Sequence, residues 1–245
     1  MEQKLLFEIG TEEIPAKFMP GILEQLKSLA EKKLQELRVP FASVTVFGTP
    51  RRMTFIADGV EETQASTVVE SKGPSVKIAF GPDGAASKAA QGFARGQGIA
   101  VEDLIVRDEY VYAVKQLTGQ AVIDLLPAFL VDIVESLSFP KNMRWADHDF
   151  RFVRPIRWLV ALLDNKIIPI EITGVKSGRN TIGHRFLSKG EVEIASAGDY
   201  EKVLREHFVL VDQDERRKMI RQQVEELAQK EGGIAEIDED LLEEV

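Results

Sequence analysis

Residues 4–9 form a short apolar run closed by Gly10 and read as a strand. From Pro20 the apolar residues Ile22, Leu26, Leu29, Leu34 and Leu37 recur at helical spacing, with Pro20 suited to a first-turn position. Residues 43–47 and 52–57 are β-like and are separated by Gly48-Thr49-Pro50, so the chain opens strand, helix, hairpin. Beyond Glu61 a polar stretch leads to Gly73-Pro74, to the turn Gly81-Pro82-Asp83-Gly84 and to an Ala-rich helix ending near Gly96. These predict a small inserted unit, completed by a strand over 110–117 and an amphipathic helix over 122–137 whose Leu126, Phe129, Ile133 and Leu137 share one face. Pro127 is expected to break or restart that helix.

Residues 157–163 and 166–173 predict a hairpin around Asp164-Asn165, with Pro169 placing the second strand at an edge. Asp212 followed by Glu215 makes a capping-box-like start to a helix carrying Met219, Ile220, Val224 and Leu227, which Gly232-Gly233 ends. Residues 238–245 read as the first turns of a further helix that nothing ends, so the chain is expected to be a fragment. The pattern predicts an α+β fold. A mixed or antiparallel sheet body over 1–65 and 150–190 carries an inserted α/β unit over 66–149, and a helical C-terminal tail over 191–245 is truncated at its end.

With 245 residues, 44% hydrophobic and 29% charged, the chain can bury a core as one large domain or two modest ones, and it is not a disordered polymer. The net charge of −9 is concentrated in the tail: residues 225–245 hold nine acids and one lysine, which leaves 1–224 at −1. A near-neutral body leaves room for local basic patches and a nucleic-acid partner. Cysteine is absent, which excludes disulfides, zinc–thiolate sites, iron–sulfur clusters and thiol nucleophiles. No apolar run approaches the roughly 18 residues of a membrane span, and the N-terminus lacks a secretory pattern. A cytoplasmic protein with no membrane partner is expected.

The richest chemistry is basic and aromatic. Lys141-Asn142-Met143-Arg144-Trp145 is followed by Phe150-Arg151-Phe152-Val153-Arg154-Pro155-Ile156-Arg157-Trp158, five cations against Asp147 and Asp149. Guanidinium groups fork onto phosphate oxygens and aromatic rings stack on unpaired bases, the mixture of an RNA-contacting surface. If 150–158 is a strand, however, alternation puts Arg154 on one face and Arg151 and Arg157 on the other. The competing reading is a core strand whose arginines pair with carboxylates. Arg51-Arg52 after Thr49-Pro50, His184-Arg185 between Gly183 and Phe186, and Lys72 before Gly73-Pro74 put further cations in loops able to approach phosphate.

Glu12 and Glu13 follow the first strand, where carboxylates could act as acid and base; a small-substrate enzyme module using Glu12, Glu13 and His184 is therefore an alternative. Their plainer reading is stabilisation of a helix start. Three histidines, at 148, 184 and 207, have no spacing for a metal triad, and neither a dinucleotide fingerprint nor a phosphate loop is present. No self-sufficient catalytic site emerges.

Taken together, Phe7-Glu8-Ile9-Gly10-Thr11-Glu12-Glu13-Ile14-Pro15, Thr49-Pro50-Arg51-Arg52, Lys72-Gly73-Pro74, Lys141-Asn142-Met143-Arg144-Trp145, Phe152-Val153-Arg154-Pro155 and Gly183-His184-Arg185-Phe186 resemble the β subunit of bacterial tetrameric glycyl-tRNA synthetase, in order and along the whole chain. The resemblance implies an α2β2 ligase that attaches glycine to its tRNA using ATP and Mg, with the catalytic core on the α subunit and tRNA recognition and assembly on β. It implies the N-terminal portion of a longer subunit, similar to body and tail domains of archaeal tRNA nucleotidyltransferases. On the same resemblance this portion is expected to bind no cofactor and to be inactive alone. The positions matching basic motifs are Arg51, Arg52, Lys72, Lys141, Arg144, Arg151, Arg154, His184 and Arg185, expected to gather into one cradle for tRNA; a purely structural scaffold that docks the α subunit and touches no RNA is a further alternative. By the same resemblance, variation at Arg157 and Trp158 weakens a role for that pair.

Overall fold

The computed structural model describes residues 2–81 and 84–244, so the centre of the expected turn at 81–84 and the terminal Met1 and Val245 lie outside the described residues. In chain order the elements are β1 (Gln3–Thr11), α1 (Met19–Glu36), β2 (Ser43–Thr49), β3 (Arg52–Val60), β4 (Thr67–Ser75), α2 (Val76–Ala79), α3 (Lys88–Gln97), β5 (Ile105–Arg107), β6 (Tyr110–Leu117) and α4 (Val122–Ser136). There follow β7 (Ile156–Leu163), β8 (Lys166–Ile167), β9 (Glu171–Ile172), β10 (Val175–Gly178), β11 (Asn180–Ile182), β12 (Glu191–Glu193), α5 (Tyr200–Glu206), α6 (Gln213–Lys230) and α7 (Glu239–Glu244). The fold is α+β with a helical C-terminal part, as the pattern predicts.

Two compact units divide the chain, Met1–Glu62 with Ala121–Val245, and Thr63–Gln120. The inserted unit is thus shorter than the expected 66–149. The reason is α4: its Leu126, Phe129, Leu130 and Ile133 are buried in the core of the first unit together with α1.

The first unit is built on a seven-stranded sheet ordered β2-β3-β1-β7-β10-β9, with β8 also on β7. Every pairing is antiparallel except β10 with β7. Central β1 is buried on both faces, so its sequence runs apolar without alternation. Leu5, Phe7 and Ile9 point to the core shared with α1 and α4, where Phe7, Phe55 and Phe129 meet edge to face at 5.8 and 6.2 Å. Leu6 points to a second core, closed by Ile194, Ala197, Tyr200 and Leu204 from the segment leading into and through α5.

Three expectations change. Helix α4 runs unbroken through Pro127; proline offers no N–H to the carbonyl one turn back, and burial of the helix's apolar face holds it together regardless. Strand β7 begins only at Ile156, and 150–155 is irregular apart from a bridge between Phe152 and Met143. Finally, only Lys166–Ile167 returns along β7, after which the chain leaves at Pro169 and Glu171–Ile172 pairs with β10 instead.

The second unit is a three-stranded antiparallel sheet ordered β4-β6-β5. Val111 and Ala113 of central β6 are buried on the face covered by α2 and α3, where Val111 packs with Ala79 and Ala90. A bulge at Gly73-Pro74 shifts the β4–β6 register between Lys72 and Ser75. Gly73 is required there because a Cβ would lie 2.5 Å from the Phe93 ring of α3.

Candidate nucleic-acid interface

Because β1 is antiparallel to both β3 and β7, the end of β1 lies beside the starts of its neighbours: Gly10 pairs with Arg52 and with Trp158. The loops leaving this sheet end are therefore 12–15, 49–51 and 153–155, three of the motif segments. Backbone bonds tie them together, from Thr11 N to Arg51 O, Ile14 N to Pro50 O and Glu12 N to Pro155 O. The fourth segment, 183–186, joins through side chains, with Arg185 Nη1 3.0 Å from Glu13 Oε1 although the two residues are 172 positions apart. Arg157 Nε is 3.3 Å from Glu12 Oε1, and Arg154 Nε donates to the Glu13 carbonyl at 2.9 Å. Phe186 projects at the tip, 82% exposed.

Beneath these loops sits a buried polar network. Glu8 points into the second core with no exposure, an arrangement a lone carboxyl tolerates only when its oxygens are hydrogen-bonded. Its Oε1 accepts from the Trp158 indole Nε1–H and from Thr181 Oγ1–H, and its Oε2 from the Tyr200 hydroxyl, which also meets Thr54 Oγ1 at 2.8 Å. Burial, with Glu8 alongside, pushes the Tyr200 phenol well above its ordinary range. Arg52 Nη1 lies 3.7 Å from Glu8 Oε2, and Arg52 Nη2 donates to the Ile182 carbonyl at 2.6 Å. The Trp158 ring is flanked by the guanidinium groups of Arg51 and Arg52 at 5.7 and 5.6 Å. It also lies flat over Gly10, where a Cβ would sit 1.9 Å from the indole.

The expected cations therefore separate by role and place. Arg51, Arg154 and Arg185 stand at the sheet end, half-buried or exposed. Arg52, expected on the surface, is only 3% exposed and belongs to the interior: it braces the turn from below. His184 is turned inward in function, since its Nδ1 accepts from the Phe186 and Leu187 N–H groups and shapes the loop that presents Arg185. Lys141, Arg144 and Arg151 lie on the irregular segment between α4 and β7, all exposed, with Arg144 3.2 Å from Asp149. That segment is anchored by Phe139, Trp145, Phe150 and Phe152, so its aromatic residues serve the core. Lys72 belongs to the second unit.

Glu12 and Glu13, considered as an acid–base pair, instead each hold an arginine. Among the described residues no group of three or more His, Cys, Asp or Glu could hold a metal ion, and no helix is long and apolar enough to cross a membrane. The residues that pattern reasoning missed are Glu8, Thr181 and Tyr200, while Trp158, read with the basic and aromatic cluster, serves this buried network. Only Glu8 announces itself, as a charge inside an otherwise apolar strand.

Comparison with known proteins bears on this arrangement. The family model described as glycyl-tRNA synthetase beta subunit matches residues 5–245. The chain is 47% identical to the glycine–tRNA ligase beta subunit of Moorella thermoacetica, 49% to that of Desulfitobacterium hafniense strain Y51 and 44% to that of Halalkalibacterium halodurans, in each case over 100% of this chain. It spans 36% of the length of each of these relatives. On that breadth of agreement, the chain belongs to the glycyl-tRNA synthetase beta subunit family.

Proposed function

We propose that this chain is the N-terminal tRNA-binding and assembly segment of a glycine–tRNA ligase beta subunit, working in the cytoplasm within an α2β2 enzyme. The α subunit attaches glycine to tRNA with ATP and Mg; this segment performs no chemistry. The observation that supports the reading is the convergence of four motif segments at one end of the sheet, where Arg154, Arg157 and Arg185 are held by Glu12 and Glu13 and Arg51 lies over the Trp158 ring that Arg52 and Glu8 also contact. Their ion pairs do not remove them from use. Arg157 and Arg185 are 58% and 59% exposed, and Glu12 and Glu13 are 45% and 63% exposed. Such pairs contribute only about 0–1 kcal/mol, so a phosphate that accepts a bidentate guanidinium can displace the carboxylate.

The test uses the assembled enzyme with Arg51→Gln and Arg185→Gln. The KM for tRNA should rise severalfold, while glycine-dependent ATP–pyrophosphate exchange, which needs no tRNA, stays at the wild-type rate. An unchanged KM for tRNA would overturn the binding role, and a loss of exchange would overturn the division of labour between subunits.

A further inference from the structure

The second unit has a face that its own helices leave open. While Val111 and Ala113 of β6 point to α2 and α3, the alternate residues Tyr110 and Tyr112 point the other way from the central strand. Register places Lys72 of β4 and Ile105 of β5 on either side of Tyr112, and Arg107 of β5 beside Tyr110. Tyr110 is 36% and Ile105 50% exposed, and Lys72 and Arg107 are exposed as well. Each ring is met by a cation: Lys72 Nζ stands 3.5 Å from the Tyr110 centroid, and the Arg107 guanidinium 4.5 Å from that of Tyr112. Glu70 shares the face and is paired with Arg107.

We infer that this open face is a stacking platform for unpaired RNA bases, with Tyr110 and Tyr112 as the rings and Lys72 and Arg107 as the phosphate contacts. Two aromatic residues at alternate positions of a central strand stand roughly two strand residues apart, about 7 Å, a spacing that successive splayed bases can follow. Both rings are held upright by cations on flexible stems. A base can take the cation's place on the ring while the cation swings to the neighbouring phosphate, and a guanidinium plane can itself stack on a base. Glu70 of the face is engaged by Arg107, and Asp108 and Glu109 follow in the turn before Tyr110, so the cation offered first to a phosphate is Lys72 over the Tyr110 ring. Lys72 pairs in register with Tyr112, just before the Gly73-Pro74 bulge, and its Nζ reaches diagonally to the Tyr110 ring.

This inference rests on the reading of the subunit as tRNA-binding, and the experiment separates the two. With the assembled enzyme, binding of a fluorescein-labelled oligouridine of about eight nucleotides is compared with a duplex RNA of the same length, and whole tRNA is measured in parallel. The single strand should bind more tightly than the duplex. Tyr110→Ala and Tyr112→Ala should each weaken it about tenfold, whereas Tyr→Phe at either position stays within about twofold. A 4-thiouridine version of the strand should crosslink to the wild-type enzyme within residues 105–112, a readout independent of how the variants fold. Equal affinity for strand and duplex, alanine variants that bind as wild type, or crosslinks confined elsewhere would overturn the platform. Alanine variants that lose the α subunit yet keep the oligonucleotide would assign the face to protein docking and overturn it equally. If tRNA itself fails to bind the wild-type enzyme, the broader reading falls; if tRNA binds and the rings are silent, only this one does.

Discussion

Glu8 shows how one residue links sequence, core and surface. A carboxyl group with no exposure is retained because three donors reach it, and those donors stand 150, 173 and 192 positions along the chain. The charge is visible in the sequence as an interruption of an apolar strand; its partners are not, because nothing local announces that β7, β11 and α5 will meet over β1. Tyr200 carries a pH consequence. Its folded-state pKa is raised above the ordinary 10.0, so its contribution to stability is intact below that value and is lost as pH climbs beyond it, where only the unfolded phenol ionises freely. Urea midpoints taken from about pH 8 to 11 should fall on the alkaline side. Tyr200→Phe should begin about 1–3 kcal/mol less stable, with a buried acceptor unmatched, and show a flatter alkaline decline; an unaltered slope would remove Tyr200 as its source. Gly10 makes a steric counterpart. Gly10→Ala forces a methyl into the Trp158 indole and should lower stability by about 1–3 kcal/mol, read from the same urea curves, whereas alanine at open Gly21 in α1 should raise it by up to about 1 kcal/mol through helix propensity.

Among elements, those with local causes were legible: α1, α3, α4 and α6 follow from apolar spacing and caps, and Asp212 accepts from the Asp214 and Glu215 N–H groups as its position implies. What periodicity could not supply was tertiary competition. Pro127 argues locally for a break, yet Leu126, Phe129, Leu130 and Ile133 are buried deeply enough to carry the helix across it. Pro127→Ala should therefore keep the same helix and raise stability, by up to about 3 kcal/mol; a lower melting temperature would show that the ring's packing outweighs the missing hydrogen bond. The segment 150–155 errs in the opposite direction. Its alternation suggests a strand, but its rings are spent on Trp145, Phe139 and each other, and the ladder starts only at Ile156. The division of Arg151 from Arg154, anticipated from strand geometry, thus arises from an irregular loop.

For the molecule as a whole, the motifs that identify the family could be picked out in the sequence, but their roles could not. Arg51 and Arg52 are neighbours of like charge, and only the fold tells them apart: Arg51 is half-buried over the Trp158 ring, while Arg52 is buried and held by Glu8 and the Ile182 carbonyl. Likewise His184 and Arg185 divide into a loop-shaping ring and a presented guanidinium. A single cradle of nine residues gives way to a braced cluster of arginines, a basic loop between α4 and β7, and Lys72 on the sheet of the second unit. The central claim is that the braced cluster neutralises RNA phosphates. Its most direct measure is the slope of log affinity for tRNA against log salt concentration, in the assembled enzyme, for wild type and for Arg51→Gln, Arg185→Gln and the pair. The account predicts a steep wild-type slope that shrinks by about one for each arginine removed, with melting temperature unchanged. A slope that stays at the wild-type value in the double variant, whatever happens to stability, would contradict it.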